Sequence, residues 1–591
     1  MACGQTVKLS IKVPDATESV SLAIAGGEFP MSRNGGRFEI LYTAPDTPGV
    51  LWYHFVLRGG LCFGPQGLRS GHAGDWQMTV YAADFETPAW FEGKTMYQIF
   101  PDRFARGGKS AEKGIRYHRA AGREIEYHED WSEPVKWQGK PGEFYCPNDF
   151  YGGTLAGITE KLDYLKDMGV DLVYLNPIFE ADSNHRYNTG DYKKIDPILG
   201  DLADFKKLCG AAEERDMRII LDGVFSHTGD DSIYFNKYGR YGGVGAYQSR
   251  DSLYHSWFDF REFPDKYRCW WNFESLPEVN EHDKVWQKDI ITGHHSVVKT
   301  WLRRGAHGWR LDVADELPDE VIELIRASAK AEDPEALVLG EVWEDATTKL
   351  SYGELRRYAL GRGLDSVMNY PLRRELIDFA LGKTDAHQLQ QFLLGQKLNY
   401  PAPMYRCLMN LLGSHDTARI RTVLALGYDG GGLERAQQVK IVPSPEQDLR
   451  GKELQRLCAA ITFALPGMPA VYYGDEEGMK GMRDPFCRAP YIQQEADTRE
   501  FYASLAKLRR SSSALSRGDA AFAAPDGDTL CLLRFDGEET YLCCASRSRK
   551  ARTLRLRPDM FFGAAREAIS GSFDTMEVYI GPCSADIRKI K

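Results

Sequence analysis

Residues 308–316 read GWRLDVADE, a short apolar run that is interrupted by charged side chains. In this segment Arg310 and Asp312 are two positions apart, so a β-strand would direct both side chains to the same face. An arginine beside a carboxylate favours the ionised form and lowers the pKa of the carboxyl group. We therefore predict a strand over 308–313 that presents an ionised Asp312, held by Arg310, at one end of a sheet.

Seven further apolar runs have the length of buried strands, and segments with helical periodicity follow most of the eight. Strands that alternate with helices in this way predict an α/β fold, a closed parallel (β/α)8 TIM barrel. The predicted strands are 95–100, 172–176, 218–224, 308–313, 337–342, 364–369, 408–413 and 470–473, and the predicted helices are 155–168, 201–216, 284–304, 318–331, 373–395, 452–465 and 499–510.

Short alternating runs on both sides of the barrel predict two flanking β-sandwiches. We expect an N-terminal β-sandwich domain over residues 1–88, the catalytic barrel over 89–514 and a C-terminal β-sandwich domain over 515–591. The connection after the third strand, about residues 225–284, is much longer than an ordinary loop and is rich in Tyr, Trp, Gly and Asp. It is predicted to form an inserted subdomain over the active face.

Ionisable side chains lie at or just beyond the carboxyl ends of three other predicted strands. They are Asp222 and His227 at the third strand, Glu341 at the fifth, and His415 with Asp416 at the seventh. In barrels of this kind the carboxyl ends of the strands form the reactive face, and burying an unpaired charge there is costly. We therefore predict that these side chains share one site.

Two carboxyl groups of this set have the properties that a retaining glycosidase needs. Asp312 can attack as an anion, whereas the apolar neighbours of Glu341 favour a protonated carboxyl that donates its proton to the leaving oxygen. Their strands are neighbours, which predicts a separation of about 5–5.5 Å and a covalent intermediate. Asp416 can then hold sugar hydroxyls and stabilise positive charge, and His227 and His415 can donate hydrogen bonds to the same hydroxyls.

The composition argues against several other classes of protein. A net charge of −10 and the lack of a basic stripe disfavour a nucleic-acid partner. No stretch reaches the roughly 18 to 20 apolar residues of a membrane span, and the N-terminus does not resemble a signal peptide. The 12 cysteines form no CxxC pair and the 13 histidines show no metal-ligand spacing. We expect a cytoplasmic protein with reduced thiols, no metal and no cofactor.

Taken together, the four strand ends resemble the four short signature regions of the α-amylase superfamily, glycoside hydrolase family 13. The strings are DGVFSH at 222–227, GWRLDVADE at 308–316, GEVWE at 340–344 and LLGSHDTAR at 411–419. Supporting strings such as YQIFPDRF at 97–104 and LPGMPAVYYGDE at 465–476 extend the resemblance over about residues 90–515. Within the superfamily the chain is most similar to the neopullulanase, cyclomaltodextrinase and maltogenic amylase group, through DVADE and the WW–LP–N string at 270–280.

The resemblance implies a retaining hydrolase of α-1,4-glucosidic bonds in maltooligosaccharides, cyclodextrins or pullulan, working by double displacement. A transglycosylase or an α-1,6-cleaving relative is the alternative, and a catalytically silent glucan-binding protein is the third reading. The implied roles are Asp312 as nucleophile, Glu341 as acid/base, Asp416 as transition-state stabiliser, Arg310 as partner of the nucleophile, His227 and His415 as hydrogen-bond donors to the sugar, Tyr187 as stacking platform and Asp222 as brace. Glu316 either contacts the substrate or begins the next helix, and the Trp270-Trp271 pair either forms a sugar platform or, as we favour, belongs to the core of the insertion.

The sequence departs from the family pattern at the positions that serve calcium in many relatives. Ser226 stands where the first region usually has an Asn, the loop 105–110 lacks the usual Asn and Asp residues, and Thr154 replaces the Asp partner of that loop. Calcium prefers several carboxylate and carbonyl oxygens, so we expect no structural calcium. The short N-terminal domain leaves a monomer and a homodimer open, and the atypical string 487–492 leaves the acceptor side of the site undefined.

Overall fold

Eight short parallel strands form the centre of the protein in a computed structural model that describes residues 1–139, 145–564, 566–569 and 573–591. The strands β1 to β8 are Met96–Ile99, Leu172–Leu175, Arg218–Gly223, Gly308–Leu311, Leu337–Gly340, Ser366–Val367, Met409–Leu411 and Met468–Tyr472. They are hydrogen-bonded in the order β6-β5-β4-β3-β2-β1-β8-β7, and a parallel bridge between Met368 and Met409 links the two outer strands. The sheet is therefore nearly closed, and the predicted barrel is confirmed.

Alternating side chains of the barrel strands divide between two apolar layers. On β2, Leu172 and Tyr174 belong to the cluster inside the barrel, whereas Val173 and Leu175 belong to the larger cluster between the barrel and its helices. Successive strand side chains point to opposite faces, so a strand covered on both sides is mostly apolar along its whole length. This double burial explains why the strands read as continuous apolar runs.

Helices surround most of the barrel. The main ones are Leu155–Glu160, Leu162–Asp167, Leu202–Glu213, Val297–Arg303, Asp319–Glu332, Tyr370–Leu381, Ala386–Asn399, Ile420–Leu426, Pro445–Ala464 and Ala496–Ser511. Between β5 and β6, all of whose residues are described, a hairpin of Leu350–Ser351 and Glu354–Leu355 stands in place of a helix.

Three predicted helices, 155–168, 284–304 and 373–395, are divided in the structure. The predicted helix 373–395 begins earlier, at Tyr370, and breaks at Gly382, whose φ of 79° lies in the left-handed region that glycine adopts readily. A new helix then starts after Asp385, whose side chain caps it. The segment 284–304 likewise divides, and its last helix, Val297–Arg303, begins after an extended Ser296.

The regions on both sides of the barrel consist of antiparallel sheets, as expected. The N-terminal strands are Thr6–Lys12, Val20–Ile24, Gly27–Pro30, Ser32–Asn34, Arg37–Thr43, Gly49–Leu57, Leu61–Gly64, Gly67–Ser70 and Trp76–Val80. The C-terminal strands are Asp519–Asp526, Thr529–Phe535, Thr540–Ser546, Arg552–Leu556, Met576–Ile580 and Ser584–Lys589. The domain limits at 88 and 514 stay a prediction. Among the described residues, none of the helices combines the length and hydropathy that a membrane crossing requires.

The long connection after β3 packs on aromatic side chains and reaches the carboxyl ends of the strands. It contains the 3-10 turns His255–Trp257 and Trp270–Asn272 and the hairpin of Phe260–Glu262 with Lys266–Tyr267. The ring of Trp270 stacks on His227 at a centroid distance of 5.5 Å. The insertion therefore borders the face on which the predicted site residues lie.

Candidate active site

The register of three neighbouring strands brings the central residues together. Asp222 on β3 pairs with Arg310 on β4, and Leu311 pairs with Gly340 on β5. Because the strands are parallel and in register, Asp312 and Glu341 follow their strands at the same level. The site is thus assembled at the carboxyl ends of β3, β4 and β5.

A single guanidinium group connects three carboxylates. Arg310 Nη1 donates to Asp222 Oδ1 at 2.8 Å and to Asp312 Oδ1 at 2.7 Å, and its Nη2 lies 2.9 Å from Glu341 Oε2. Arg310 and Asp222 are fully buried, and the side chains of Asp312 and Glu341 are only 9% and 5% exposed. One positive charge therefore faces three carboxyl groups away from bulk water.

The pKa of Asp312 shifts in the direction opposite to the one predicted from its arginine neighbour. Burial raises the pKa of Asp312 well above its ordinary value; Arg310 opposes this shift, while Glu341 and Asp222 add to it. Burial also raises the pKa of Asp222 against the effect of Arg310. The prediction was wrong because burial outweighs the effect of Arg310, which Asp312 also shares with Asp222 and Glu341. The cluster consequently retains protons that isolated carboxyls would lose.

Glu341 is also fixed by donors from its own loop and from the segment after β4. The backbone N–H of Val313 donates to Glu341 Oε2 at 2.8 Å, and Trp343 Nε1 donates to Glu341 Oε1 at 3.1 Å. The Trp343 ring stacks on Tyr370 with centroids 3.8 Å apart. Both oxygens of Glu341 thus have donors, and its carboxyl group is held in one orientation.

Asp416 lies in the loop after β7, beside a residue that the sequence did not single out. Arg488 Nη2 is 3.3 Å from Asp416 Oδ1, and Arg488 Nε donates to the carbonyl of His415 at 2.9 Å. Burial and Glu341 raise the pKa of Asp416 to about 7, and Arg488 opposes the shift. Arg488 belongs to the atypical string 487–492, and only its charge within an otherwise apolar stretch could have drawn attention to it.

Tyr187 joins two halves of the site. Its hydroxyl donates to Asp222 Oδ2 at 2.9 Å and lies 2.6 Å from His415 Nε2, which is also 3.0 Å from Asp416 Oδ2. Its ring is parallel to that of His415, with centroids 5.2 Å apart and an interplanar angle of 6°. Tyr187 therefore connects Asp222 of β3 with Asp416 in the loop after β7, and its role as a sugar platform stays a prediction.

Both predicted histidines are neutral at physiological pH. Burial lowers the pKa of His227 to about 4, and burial with nearby Arg488 lowers that of His415 well below its ordinary value. His227 Nε2 lies 3.1 Å from the carbonyl of Tyr187, and its Nδ1 lies 3.0 Å from Ser226 Oγ. A carbonyl can only accept, so the proton of His227 resides on Nε2 and is already engaged.

Glu316 lies at the rim and does not begin the following helix. It ends a 3-10 turn, and the next helix starts at Asp319. Trp271 Nε1 donates to Glu316 Oε1 at 3.3 Å, and Tyr352 donates its hydroxyl to Oε2. Trp271 is 72% exposed and Tyr352 78% exposed, so the expectation that Trp271 is core was wrong. Glu316 thus holds two exposed aromatic rings beside the site.

The two positions associated with calcium already use their oxygens within the protein. Thr154 Oγ1 accepts from the N–H of Gly157 and donates to the carbonyl of Gly107. Ser226 Oγ contacts His227. Neither side chain supplies the carboxylate oxygen that calcium prefers, so these residues do not fit a calcium site of the family type.

Comparison with known proteins agrees with the barrel. Residues 98–520 match the alpha amylase catalytic domain. The chain belongs to the alpha-amylase family.

Curated relatives define the similarity further. An amylopullulanase of Thermoanaerobacter thermohydrosulfuricus is 37% identical over 574 residues, which cover 87% of this chain and 38% of that protein. A cyclomaltodextrinase of Geobacillus thermopakistaniensis is 33% identical, over 88% of this chain and 82% of that enzyme. The chain spans only 28% to 44% of the length of three amylopullulanases that it matches.

A solved structure shares the architecture. The cyclic α-maltosyl-(1→6)-maltose hydrolase of Arthrobacter globiformis, in complex with cyclic α-maltosyl-(1→6)-maltose, superposes with a TM-score of 0.68 at 28% identity. The match covers 85% of this chain and 100% of that one.

Proposed function

We propose that the protein hydrolyses α-1,4-glucosidic bonds in maltooligosaccharides, cyclodextrins or pullulan, with retention of the anomeric configuration. The observation that carries the proposal is the guanidinium of Arg310 shared by Asp222, Asp312 and Glu341, with Asp416 linked to the same face through Tyr187. Retention requires one ionised and one protonated carboxyl side by side.

The charge balance of the cluster supports one ionised and one protonated carboxyl group. Three ionised carboxylates around one guanidinium would leave two uncompensated negative charges in a buried site, which is costly. A single shared proton removes one of them. We assign that proton to Glu341, because the first step needs a proton donor to the leaving oxygen, and the negative charge to Asp312, which keeps the 2.7 Å contact with Arg310.

The reaction then proceeds in two balanced steps. Asp312 Oδ attacks the anomeric carbon while the bond to the leaving oxygen breaks and Glu341 transfers its proton to that oxygen. In the second step Glu341 accepts a proton from water, the water oxygen bonds to the anomeric carbon, and the bond to Asp312 breaks. Asp416 carries negative charge near the oxocarbenium-like transition states and accepts hydrogen bonds from sugar hydroxyls.

A second candidate is cleavage of α-1,6 bonds, or transfer to a sugar acceptor, on the same barrel. It is favoured by the similarity to the cyclic α-maltosyl-(1→6)-maltose hydrolase. The exposed rings of Trp271 and Tyr352 beside Glu316 offer contacts for an acceptor sugar. Both candidates use the same carboxylates and differ only in the bond or acceptor that is presented to them.

Product analysis distinguishes the candidates. The protein is incubated with maltotriose, cyclodextrin, pullulan and panose, beside an Asp312→Asn variant as a matched control. We expect glucose or maltose from the α-1,4 substrates, initially as the α-anomer by NMR, and none from the control. Longer products from maltotriose or preferential attack on panose would favour the second candidate. Release of sugar from none of them would refute hydrolysis.

Three further features belong to the same proposal. We infer that the enzyme works in the cytoplasm, because its cysteines are free thiols. We infer that catalysis needs no cofactor and no calcium, on the basis of the occupied hydroxyls of Thr154 and Ser226. A monomer and a homodimer are both compatible with this site.

A further inference from the structure

Three side chains with metal-binding atoms meet in the N-terminal β-region, apart from the carboxylate site. His54 Nδ1 lies 2.6 Å from Asp75 Oδ1, and His72 Nε2 lies 3.8 Å from Asp75 Oδ2. One ligand atom from each residue lies within 4.8 Å of the other two. We propose that His54, His72 and Asp75 form a binding site for a divalent transition-metal ion of the zinc type.

The sheet register fixes the first two ligands. Tyr53 pairs with Trp76 in the ladder between Gly49–Leu57 and Trp76–Val80. The next step of this antiparallel register places His54 opposite Asp75, at the separation typical of cross-strand neighbours. On its other edge the same strand pairs His54 with Ala23, so the backbone of His54 is held between two strands.

The loop that supplies His72 is anchored to the same sheet. Ala73 is fully buried, and its carbonyl accepts from the N–H of Gln66 at 3.0 Å. The loop passes so close to Gly64 that a Cβ there would lie 2.1 Å from the carbonyl oxygen of Gly74. His72 and Asp75 therefore flank a fixed segment, Ala73-Gly74, which limits how far their side chains can move apart.

The donor set and its geometry suit a tetrahedral ion with one open position. Two imidazole nitrogens and one carboxylate are ligands that Zn²⁺ accepts, whereas Ca²⁺ and Mg²⁺ prefer oxygen alone. Bonds of about 2.1 Å in tetrahedral geometry set the ligand atoms roughly 3.4 Å apart. The observed distances of 2.6 Å and 3.8 Å bracket that value. The His72 side chain is 65% exposed, so its ring can adjust and an ion can enter from solvent.

The charge of Asp75 agrees with a cation at this position. Its two carboxylate oxygens face the two imidazole rings, one each. In the part of the chain that the structure describes, no lysine or arginine forms an ion pair with Asp75. A divalent ion would compensate this carboxylate and bind both rings in their neutral form.

Cobalt(II) spectroscopy on the full chain tests the proposal. The protein is stripped with a chelator, its accessible thiols are alkylated, and Co²⁺ is added. We expect one equivalent to give the intense visible bands of a four-coordinate site, and Zn²⁺ to displace it. Replacing a ligand in His72→Ala or Asp75→Asn should weaken Zn²⁺ binding by more than about 100-fold, beyond the usual effect of outer-shell changes.

A matched control is His387→Ala, because His387 is an exposed histidine 3.9 Å from Asp385 at a distant position. This variant should bind Co²⁺ like the unmutated protein. A second variant, His72→Gln, keeps an exposed side chain of similar size, so that loss of metal binding can be separated from loss of folding. Only weak six-coordinate spectra, or equal Zn²⁺ affinity in the unmutated protein and in His72→Ala, would overturn the proposal.

Discussion

Replacing Asp222 by Asn removes one negative charge from the buried cluster while leaving the size of the side chain unchanged. Asp222 Oδ1 and Asp312 Oδ1 both contact Arg310 Nη1, at 2.8 Å and 2.7 Å. Ionised Asp222 opposes ionisation of Asp312 and competes for the same guanidinium. The substitution should therefore lower the pKa of Asp312 and move the acid limb of the kcat/KM profile to lower pH.

The size of the shift follows from the separation of the two charges. At roughly 5 Å and an effective dielectric constant of about 20, two unit charges repel each other by about 3 kcal/mol. Since 1.36 kcal/mol corresponds to one pKa unit, the acid limb should move by about two pH units. The lost charged acceptor for Arg310 should also reduce kcat by about 10- to 100-fold, the usual effect of a charge-assisted hydrogen bond.

The assay is the pH dependence of kcat/KM on maltotriose for the unmutated protein and for Asp222→Asn. Tyr187→Phe serves as the control, because it removes the 2.9 Å hydrogen bond to Asp222 without changing the charge of the cluster. Its acid limb should stay near that of the unmutated protein. An acid limb of Asp222→Asn that is unchanged, or that moves to higher pH, would refute the electrostatic reasoning.

Three other predictions concern the rim, the stability and the metal requirement. Burial and Glu341 raise the folded-state pKa of Asp416 to about 7, so the stability that this group contributes is lost as pH rises from the ordinary carboxyl pKa towards 7. In thermal unfolding, the Tm of Asp416→Asn should therefore exceed that of the unmutated protein by more at pH 8 than at pH 5. An equal difference in Tm at the two pH values would contradict this. Glu316→Gln weakens the hydrogen bonds that Glu316 accepts from Trp271 and Tyr352. It should raise KM for maltotriose about fivefold, corresponding to about 1 kcal/mol, with little change in kcat. A fall in kcat alone would count against a role of Glu316 at the rim. Adding Ca²⁺ to chelator-treated protein should change neither Tm nor kcat, and a rise in either would reveal a calcium site that Thr154 and Ser226 do not explain.

The sequence pattern predicted the placement of Asp312 better than its electrostatics. The two-residue spacing of Arg310 and Asp312 is sufficient to place both on one face of a strand. The sharing of Arg310 with Asp222 and Glu341 depends on the stagger of three strands, which spacing along the chain does not encode. The direction of the pKa shift of Asp312 could therefore be inferred only from the three-dimensional arrangement.

Local backbone conformation accounts for other differences. Trp271 has a φ of 48°, in the left-handed region, and this turns its ring to solvent although the sequence reads as an apolar core segment. The contact of Arg488 with Asp416 depends on the loop after β8, and loops follow no periodic pattern. The same limit applies to His54 and His72, because the first lies on a strand and the second in the loop before the strand paired with it.

The nucleophilic role of Asp312 is tested most directly by trapping the covalent intermediate. The Glu341→Gln variant is incubated with a fluorinated α-glucosyl fluoride, which supplies its own leaving group, and the digested protein is mapped by mass spectrometry. We expect one glucosyl adduct on Asp312, and a loss of about 10⁴-fold or more in kcat, about 5.4 kcal/mol, in Asp312→Asn. An adduct on a different residue, or hydrolysis to the β-anomer with no adduct, would contradict double displacement at this site.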